Sequence, residues 1–310
     1  PFLLHDWLRC LEESNSASSS NGWIPQHILL YNNSTLLGAV PLYIKTHSMG
    51  EFIFDQSWAE ISYSAGIRYY PKVLVGVPFT PASGSRLLVN PICTENDTQF
   101  PRNVVLKALV KTLQQFVIDM KLSSIHVNFI EIQDEIDALI NEGFHIRTSV
   151  QYHFQNDVFN GETEGKTEGF EKYLSLFRAK KRTKIKRERK SVYVDQNLTL
   201  KVVRGAEIDK NLFDHMYYIY KSTIDKMFYG NQYLTREFFR LLSESSEQFR
   251  ENLCFILAFK KGEEHEPIAG TFNVIRNGRF YGRYWGSLGG IEYPNLHFET
   301  CYCKSIEYVI

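Results

Sequence analysis

Acidic, imidazole and aromatic side chains are closely spaced between residues 47 and 58. The segment contains His47, Glu51, Asp55 and Trp58. A carboxylate can remove a proton from a reacting group, and carboxyl groups among aromatic rings are expected to have raised pKa values that suit this task. We therefore predict that Glu51 and Asp55 are catalytic and that His47 and Trp58 bind substrate. Capping or salt bridging by the two acids is the alternative.

A second group of candidates lies near the end of the chain. Arg283, Tyr284 and Trp285 stand between Gly282 and Gly286, where missing side chains would permit a ligand to approach closely. Tyr284 is a candidate proton donor to a leaving group, and Arg283 and Trp285 are candidates for substrate binding. Core packing of the aromatic rings is the alternative.

The segment from His297 to Cys303 also contains Glu299 and Cys301, a set of types that could ligate zinc. Phe298, Tyr302, Ile306 and Val309 recur at helical spacing, which would disperse those ligands around a helix. We therefore predict no metal, and we assign His297 and Glu299 to catalysis instead.

Residues 178–190 form a strongly basic stretch. It contains nine basic residues and one acid, a net charge of +8, so the remaining 26 basic and 34 acidic residues sum to −8. Like charges at helical spacing repel one another, which makes an anionic ligand plausible. Arginine and lysine suit phosphate, so we predict that Lys181, Arg182, Arg187 and Arg189 bind a phosphate-bearing coenzyme, nucleotide-linked substrate or tRNA. A solvated helix face or a localisation signal is the alternative.

The apolar patterns predict an α/β (α+β) protein of two lobes, 1–160 and 170–310, joined by a Gly- and Glu-rich linker, 161–169. In the first lobe we expect a hairpin (27–31 and 36–44), strands at 72–77, 125–130 and 144–154, and helices at 101–121 and 134–141. In the second we expect one amphipathic helix running through Phe177 to Ile185, strands at 198–203, 253–259, 268–275 and 279–285, helices at 213–227 and 234–242, and a final helix from Leu296.

Leu37-Gly38-Ala39 and Ala269-Gly270-Thr271 occupy similar positions in the two halves, which suggests a diverged duplication. If the halves correspond, a strand should follow Ile310, so the second lobe is expected to be truncated. The N-terminus is also expected to be incomplete because the chain begins with proline. Five scattered cysteines without a CxxC pair favour a cytoplasmic or other reducing compartment, and organelle targeting stays open. No apolar run is long enough to span a membrane.

Several longer strings resemble the FemAB-like branch of the GNAT (acyl-CoA N-acyltransferase) superfamily, in its peptidoglycan biosynthesis/recognition group. They comprise His47 to Ala59, Tyr69 to Lys72, Pro78 to Pro81, Gly84 to Leu88, Lys181-Arg182, Ile185, Arg187 to Arg189, Tyr233 to Thr235, Gly282 to Gly286 and Leu296 to Glu299.

This resemblance implies two tandem GNAT-like lobes, each a mixed, largely antiparallel sheet flanked by helices. It also implies acyl transfer to an amine in a cleft between the lobes, from acyl-CoA or aminoacyl-tRNA. Lys72, Thr80, Gly84 and Arg86 fall in its motifs, around a Pro/Gly-rich loop typical of ligand sites, and are assigned to binding the donor. The usual coenzyme A signature, R/Q-x-x-G-x-G/A, does not precede Pro101, so a non-catalytic module that binds tRNA or another polyanion is the alternative function.

Overall fold

A computed structural model describes residues 1–95, 99–156, 166–226, 230–290 and 292–310. Packing divides the chain into two compact units, which are Phe2–Ser149 and Val150–Ile310, the latter joined by Pro1. Each unit contains largely antiparallel sheet and helices, so the predicted mixed α/β class is confirmed. Of the predicted linker, residues 161–165 lie outside the described ranges, and residues 166–169 belong to a helix.

The first unit contains helices α1 (His5–Glu13), α2 (Gln56–Ser64), α3 (Arg102–Asp119) and α4 (Gln133–Asn141). One of its sheets has the order β1 (Trp23–Pro25), β4 (Leu42–Lys45), β5 (Lys72–Val75) and β7 (Ile125–Val127); only β5 and β7 are parallel. The other sheet has the order β2 (Ile28–Asn32), β3 (Thr35–Val40) and β6 (Leu88–Val89).

The predicted hairpin strand from Leu36 to Ile44 is divided at Pro41. Proline has no N–H to donate, and the chain leaves one sheet as β3 and enters the other as β4. The apolar face of α3, with Leu106, Leu109 and Leu113 at its centre, packs on β3 and forms the core of this unit.

The strand predicted at 144–154 was wrong. Residues 144–156 have no regular structure, although their apolar side chains alternate. Ile146, Val150 and Tyr152 are 64%, 84% and 96% exposed, so the alternation does not correspond to a buried face. Alternation stabilises a strand only where a neighbouring strand pairs with it, and no described strand does so here.

The second unit begins with α5 (Lys166–Ser175) and α6 (Ala179–Lys190). The one helix predicted through Phe177 to Ile185 is therefore two, because Arg178 is extended (φ −60°, ψ 149°). An antiparallel sheet has the order β11 (Arg279–Ser287), β10 (Ala269–Arg276), β9 (Leu253–Lys260) and β8 (Leu198–Arg204). Helices α7 (Lys210–Asp225), α8 (Arg236–Ser243) and α9 (Glu247–Arg250) complete this part of the unit.

Two helices of the second unit contain wide, π-helical turns. The first follows α6 directly, at Ser191–Asp195. The second, Glu299–Lys304, lies between α10 (Leu296–Phe298) and α11 (Ser305–Val309) and makes the C-terminal helix continuous. Such turns are rare and occur often at functional sites. None of the helices in the described ranges combines the length and the apolar composition that spanning a membrane requires.

Candidate functional site

Two lysines lie side by side at the ends of neighbouring strands in the first unit. Lys45 on β4 is the direct antiparallel partner of Lys72 on β5. Both side chains are fully buried. Like charges directly opposite each other destabilise a sheet, and buried ammonium groups need partners, so this pair requires compensation by acids.

The loop between β4 and α2 supplies those acids. Lys72 Nζ lies 2.6 Å from Asp55 Oδ2 and 3.0 Å from Glu51 Oε2. Glu51 and Asp55 are 3% and 1% exposed, so all four charged groups are removed from water. Lys45 has no carboxylate of a described residue within 4.0 Å; its Nζ lies 3.4 Å from the Met49 carbonyl oxygen and 3.6 Å from the centre of the Trp23 ring. The chain thus places the predicted residues Glu51, Asp55 and Lys72 together.

Polar side chains complete the environment of Asp55 and Lys72. The Tyr69 hydroxyl donates to Asp55 Oδ2 at 2.7 Å, and Lys72 Nζ donates to Ser48 Oγ at 2.9 Å. Lys72 Nζ also lies 3.4 Å from His126 Nδ1. We refer to Lys45, Glu51, Asp55, Lys72 and His126 as the buried charge cluster.

The two carboxyl groups have different proton affinities. Burial raises the pKa of Glu51, against the opposing attraction of Lys72 and Lys45. Burial acts on Asp55 too, but hydrogen bonds from Lys72, Ser48 and Tyr69 lower its pKa to about 2. Asp55 is therefore a permanent carboxylate, whereas Glu51 is suited to exchanging a proton.

The nitrogen groups of the cluster are also perturbed. Burial and the neighbouring Lys72 lower the pKa of Lys45 to about 7, against the attraction of Glu51 and Asp55. The Trp23 face favours the ammonium form by roughly 0.5–2 kcal/mol, and burial outweighs it. Burial and Lys72 lower the pKa of His126 to about 4, so its imidazole is neutral at pH 7.

Glu51, Asp55 and His126 have ligand atoms within 4.8 Å of one another, a spacing that could hold a metal ion. The Lys72 ammonium group already lies within 3.4 Å of an atom of each of them. A cation would have to displace this amine, so we interpret the cluster as an ion-paired lysine rather than a metal centre.

Two more predicted residues, His47 and Trp58, flank Glu51 and Asp55 in the sequence. His47 accepts from the Met49 amide, and burial together with Lys45 lowers its pKa. Trp58 is on α2, 57% exposed, with the Arg147 guanidinium 5.5 Å from its ring centre.

The predicted donor-binding residues other than Lys72 form a separate structural network. The buried Arg86 guanidinium donates to the carbonyl oxygens of Asn128, Ser85 and Ala82. Thr80 donates to the Pro78 carbonyl, and Gly84 forms an isolated bridge with Ile130. These contacts fix the 78–87 loop by themselves, so none of the three residues requires a ligand to explain its position.

The four predicted basic residues of helix α6 have different environments. Lys181 and Arg187 are exposed, and neither forms an ion pair with a described residue, whereas Arg182 donates to the Phe177 carbonyl. Arg189 is different: its Nη2 lies 3.1 Å from both Glu299 Oε1 and Glu307 Oε2. Arg189 therefore ties α6 to the C-terminal helix, and its structural role competes with phosphate binding.

Glu299 is at the centre of this second cluster. It is 2% exposed, and its Oε1 also accepts from the Tyr193 hydroxyl at 2.7 Å. Tyr193 lies in the first π-helical turn and Glu299 in the second, so this hydrogen bond joins the two turns. Burial raises the pKa of Glu299 against the attraction of Arg189.

Three predicted residues, Arg283, Tyr284 and Trp285, lie on β11. None of them is among the described partners of Glu299. Arg283 is the extra residue of a β-bulge, since Tyr284 and Gly282 pair with successive residues of β10. Tyr284 packs on the Tyr220 ring at 4.8 Å, which fits the core-packing alternative, and Arg283 Nη2 donates to its hydroxyl at 3.3 Å.

Trp285 and His297 are brought together, with ring centres 5.3 Å apart, and burial lowers the pKa of His297. The expectation that Gly286 admits a ligand was wrong. A Cβ there would lie 1.7 Å from the Ile219 carbonyl oxygen, so helix α7 already occupies that space.

The sequence reasoning missed Lys45, Ser48, Tyr69 and His126. Lys45 is the last residue of the apolar strand β4. A lysine at the end of an apolar run is only weak evidence that its amine is buried. The cross-strand register that pairs it with Lys72 is not visible in the sequence.

This chain is similar to known proteins in sequence and in fold. The family model FemAB-like, described as peptidoglycan biosynthesis/recognition, matches residues 1–310. Matching solved structures include the crystal structure of FemX, 12% identical, with a TM-score of 0.49 over 99% of this chain and 79% of that one. They also include the structure of L-PGS from Bacillus licheniformis, 8% identical, with a TM-score of 0.49 over 99% of this chain and 70% of that one. No curated protein matches.

Proposed function

Because this chain belongs to the FemAB-like family, we propose that it is a transferase that moves an acyl or aminoacyl group from acyl-CoA or aminoacyl-tRNA to an amine. We place the acceptor's proton transfer at the buried charge cluster. The observation that carries this proposal is the pairing of a buried carboxyl group of raised pKa, Glu51, with the ammonium group of Lys72.

The reaction assigns a separate task to each group. Glu51 takes one proton from the acceptor's ammonium, which becomes a neutral amine and attacks the carbonyl carbon of the donor. The C–N bond forms as the carbonyl π electrons move to oxygen. Collapse of this oxyanion expels the carrier's thiolate or ribose oxygen, which takes up the second proton that the nitrogen loses as the amide forms. Lys72 offers a positive charge to the developing oxyanion, and Asp55 holds Lys72 in position through the 2.6 Å ion pair.

Transfer can be measured with labelled acetyl-CoA or charged tRNA and a panel of amines that includes peptidoglycan peptides. We expect Glu51→Gln to lower kcat by roughly a hundredfold or more, since it removes the base but keeps the shape of the side chain. Glu60→Gln is the matched control, because Glu60 lies on the exposed surface of α2. Transfer at the wild-type rate by Glu51→Gln would refute the role of Glu51, and no transfer by the wild type with either donor would refute the function.

A second candidate function is the binding of RNA or another polyanion without catalysis. The exposed cations Lys181 and Arg187, which lack acidic partners among the described residues, favour it. Binding to a labelled single-stranded RNA should weaken with salt, and reversing both charges should reduce the slope of log K against log salt by roughly 0.7 for each phosphate that the variant no longer neutralises. Binding that does not depend on salt would contradict this candidate.

A further inference from the structure

The lysines and carboxylates of the buried charge cluster are closed to solvent. Lys45 and Lys72 are 0% exposed, and Glu51 and Asp55 are 3% and 1% exposed. The proposed function requires an acceptor to reach these carboxylates. Some part of the surrounding wall must therefore move before the first chemical step.

Helix α2, which begins directly after Asp55 of the cluster, has little burial. None of its nine residues is buried and seven are exposed, with Ile61 and Tyr63 at 69% and 86%. Helix α3 of the same unit, in contrast, buries five residues in the core. Little apolar surface is lost when α2 leaves its position, and segments of this kind open locally at low free energy.

The backbone that leads into α2 is strained. Phe52 and Phe54 have φ values of +60° and +51°, in the left-handed region that bulky side chains rarely adopt. Phe54 is also 76% exposed, so burial does not compensate for its conformation. The closed arrangement therefore contains strain at both residues that opening can relieve.

Asp55, which immediately precedes α2, is the main polar anchor of this segment. Its Oδ2 binds Lys72 and Tyr69, but its Oδ1 is buried and accepts no hydrogen bond from the described residues. Glu51 Oε1 is likewise buried and accepts no hydrogen bond from the described residues. Two buried carboxylate oxygens without donors suit a ligand that brings several N–H groups, and a primary ammonium has three.

We propose that residues 52–64 form a gate that opens to admit a primary amine to the free oxygens of Glu51 and Asp55 and then closes over it. The identity of the ligand rests on the proposed function. The motion of the gate does not rest on that function, because it is inferred from the low burial of α2, the backbone strain at Phe52 and Phe54, and the ion pair of Asp55.

Hydrogen exchange of the full chain tests the motion directly. In Asp55→Asn the charged anchor to Lys72 is lost, so the amides of α2 should exchange roughly 10 to 100 times faster, as expected for loss of a charge-assisted hydrogen bond. The amides of α3 should exchange at the wild-type rate. Glu60→Gln is the control on α2 itself and should leave both helices unchanged. Equal acceleration of α2 and α3, or no acceleration of α2, would overturn the gate.

The ligand is tested with n-butylamine as the probe and tetramethylammonium as a cation without N–H groups. We expect n-butylamine to slow exchange in α2 at least tenfold at saturation and tetramethylammonium to have no effect. Equal effects of both cations, or none, would overturn the amine site. If both exchange experiments give the expected results but the protein shows no transfer activity, the gate and its amine site are supported and only the proposed function is rejected.

Discussion

Replacing Lys72 by methionine should destabilise the first unit strongly. The substitution keeps the length of the side chain but leaves Glu51 and Asp55 buried without their shared cation. At 3.0 Å and 2.6 Å, and with an effective dielectric constant of about 20, the two attractions are each worth about 6 kcal/mol before desolvation is subtracted. Because desolvation cancels much of this, we expect a net loss of about 3–5 kcal/mol in the free energy of unfolding.

The pH dependence of this loss distinguishes charge from packing. Without Lys72, both buried carboxyl groups should have raised pKa values, so their penalty is present at neutral pH and disappears as they protonate on acidification. In the wild type, the depressed pKa of Asp55, about 2, gives stability that persists at neutral pH and is lost as the pH falls toward that value. The difference between the two proteins should therefore shrink between pH 7 and pH 4.5.

Urea unfolding of the full chain, followed by circular dichroism at both pH values, measures this difference. Lys111→Met is the matched control, since Lys111 is exposed on α3, and it should change the free energy by less than about 0.5 kcal/mol. Adding Asp55→Asn to Lys72→Met should recover part of the loss. A difference below about 1 kcal/mol at pH 7, or one that is the same at both pH values, would show that the ion pairs of Lys72 do not stabilise the fold.

Three further predictions concern stability. The neutral, half-buried His126 has a pKa of about 4, which must rise to its ordinary 6.5 on unfolding. Acidification from pH 7 to 5 should therefore cost the wild type about 2 kcal/mol more than His126→Gln, measured by urea unfolding. Arg189→Met should cost about 3 kcal/mol at pH 7, because Glu299 is left buried without its cation, and a thermal melt with no shift would contradict this. Gly286→Ala should cost about 3 kcal/mol or more, because the new methyl group collides with the Ile219 carbonyl; wild-type stability in the same melt would show that α7 yields easily.

The local patterns of the sequence predicted most of the helices and strands. The apolar face of α3 and the strands β8 to β11 lie close to their predicted positions, because each buries a continuous apolar surface. The failures have physical reasons. Residues 144–154 alternate without a described partner strand, and Arg178 divides a helix whose apolar spacing continues across the break.

The candidate site was predictable only in part. Glu51 and Asp55 are identifiable as acids among aromatic residues, but their relation to Lys45 depends on the register of β4 against β5. Arg189 shows the same limit in the second unit. Its neighbours in the sequence are cations, and only the fold reveals that its partners are Glu299 and Glu307.

The π-helical turn Glu299–Lys304 also determines how relatives of this chain should be compared. A π turn contains one residue more than an α-helical path of the same pitch. Deleting a single residue there would restore a regular α-helix and leave Ser305–Val309 in place, because the wide turn accommodates the extra residue locally. Glu307 would then still face Arg189. A one-residue gap at this point in an alignment is thus compatible with a relative that keeps this ion pair to its basic helix.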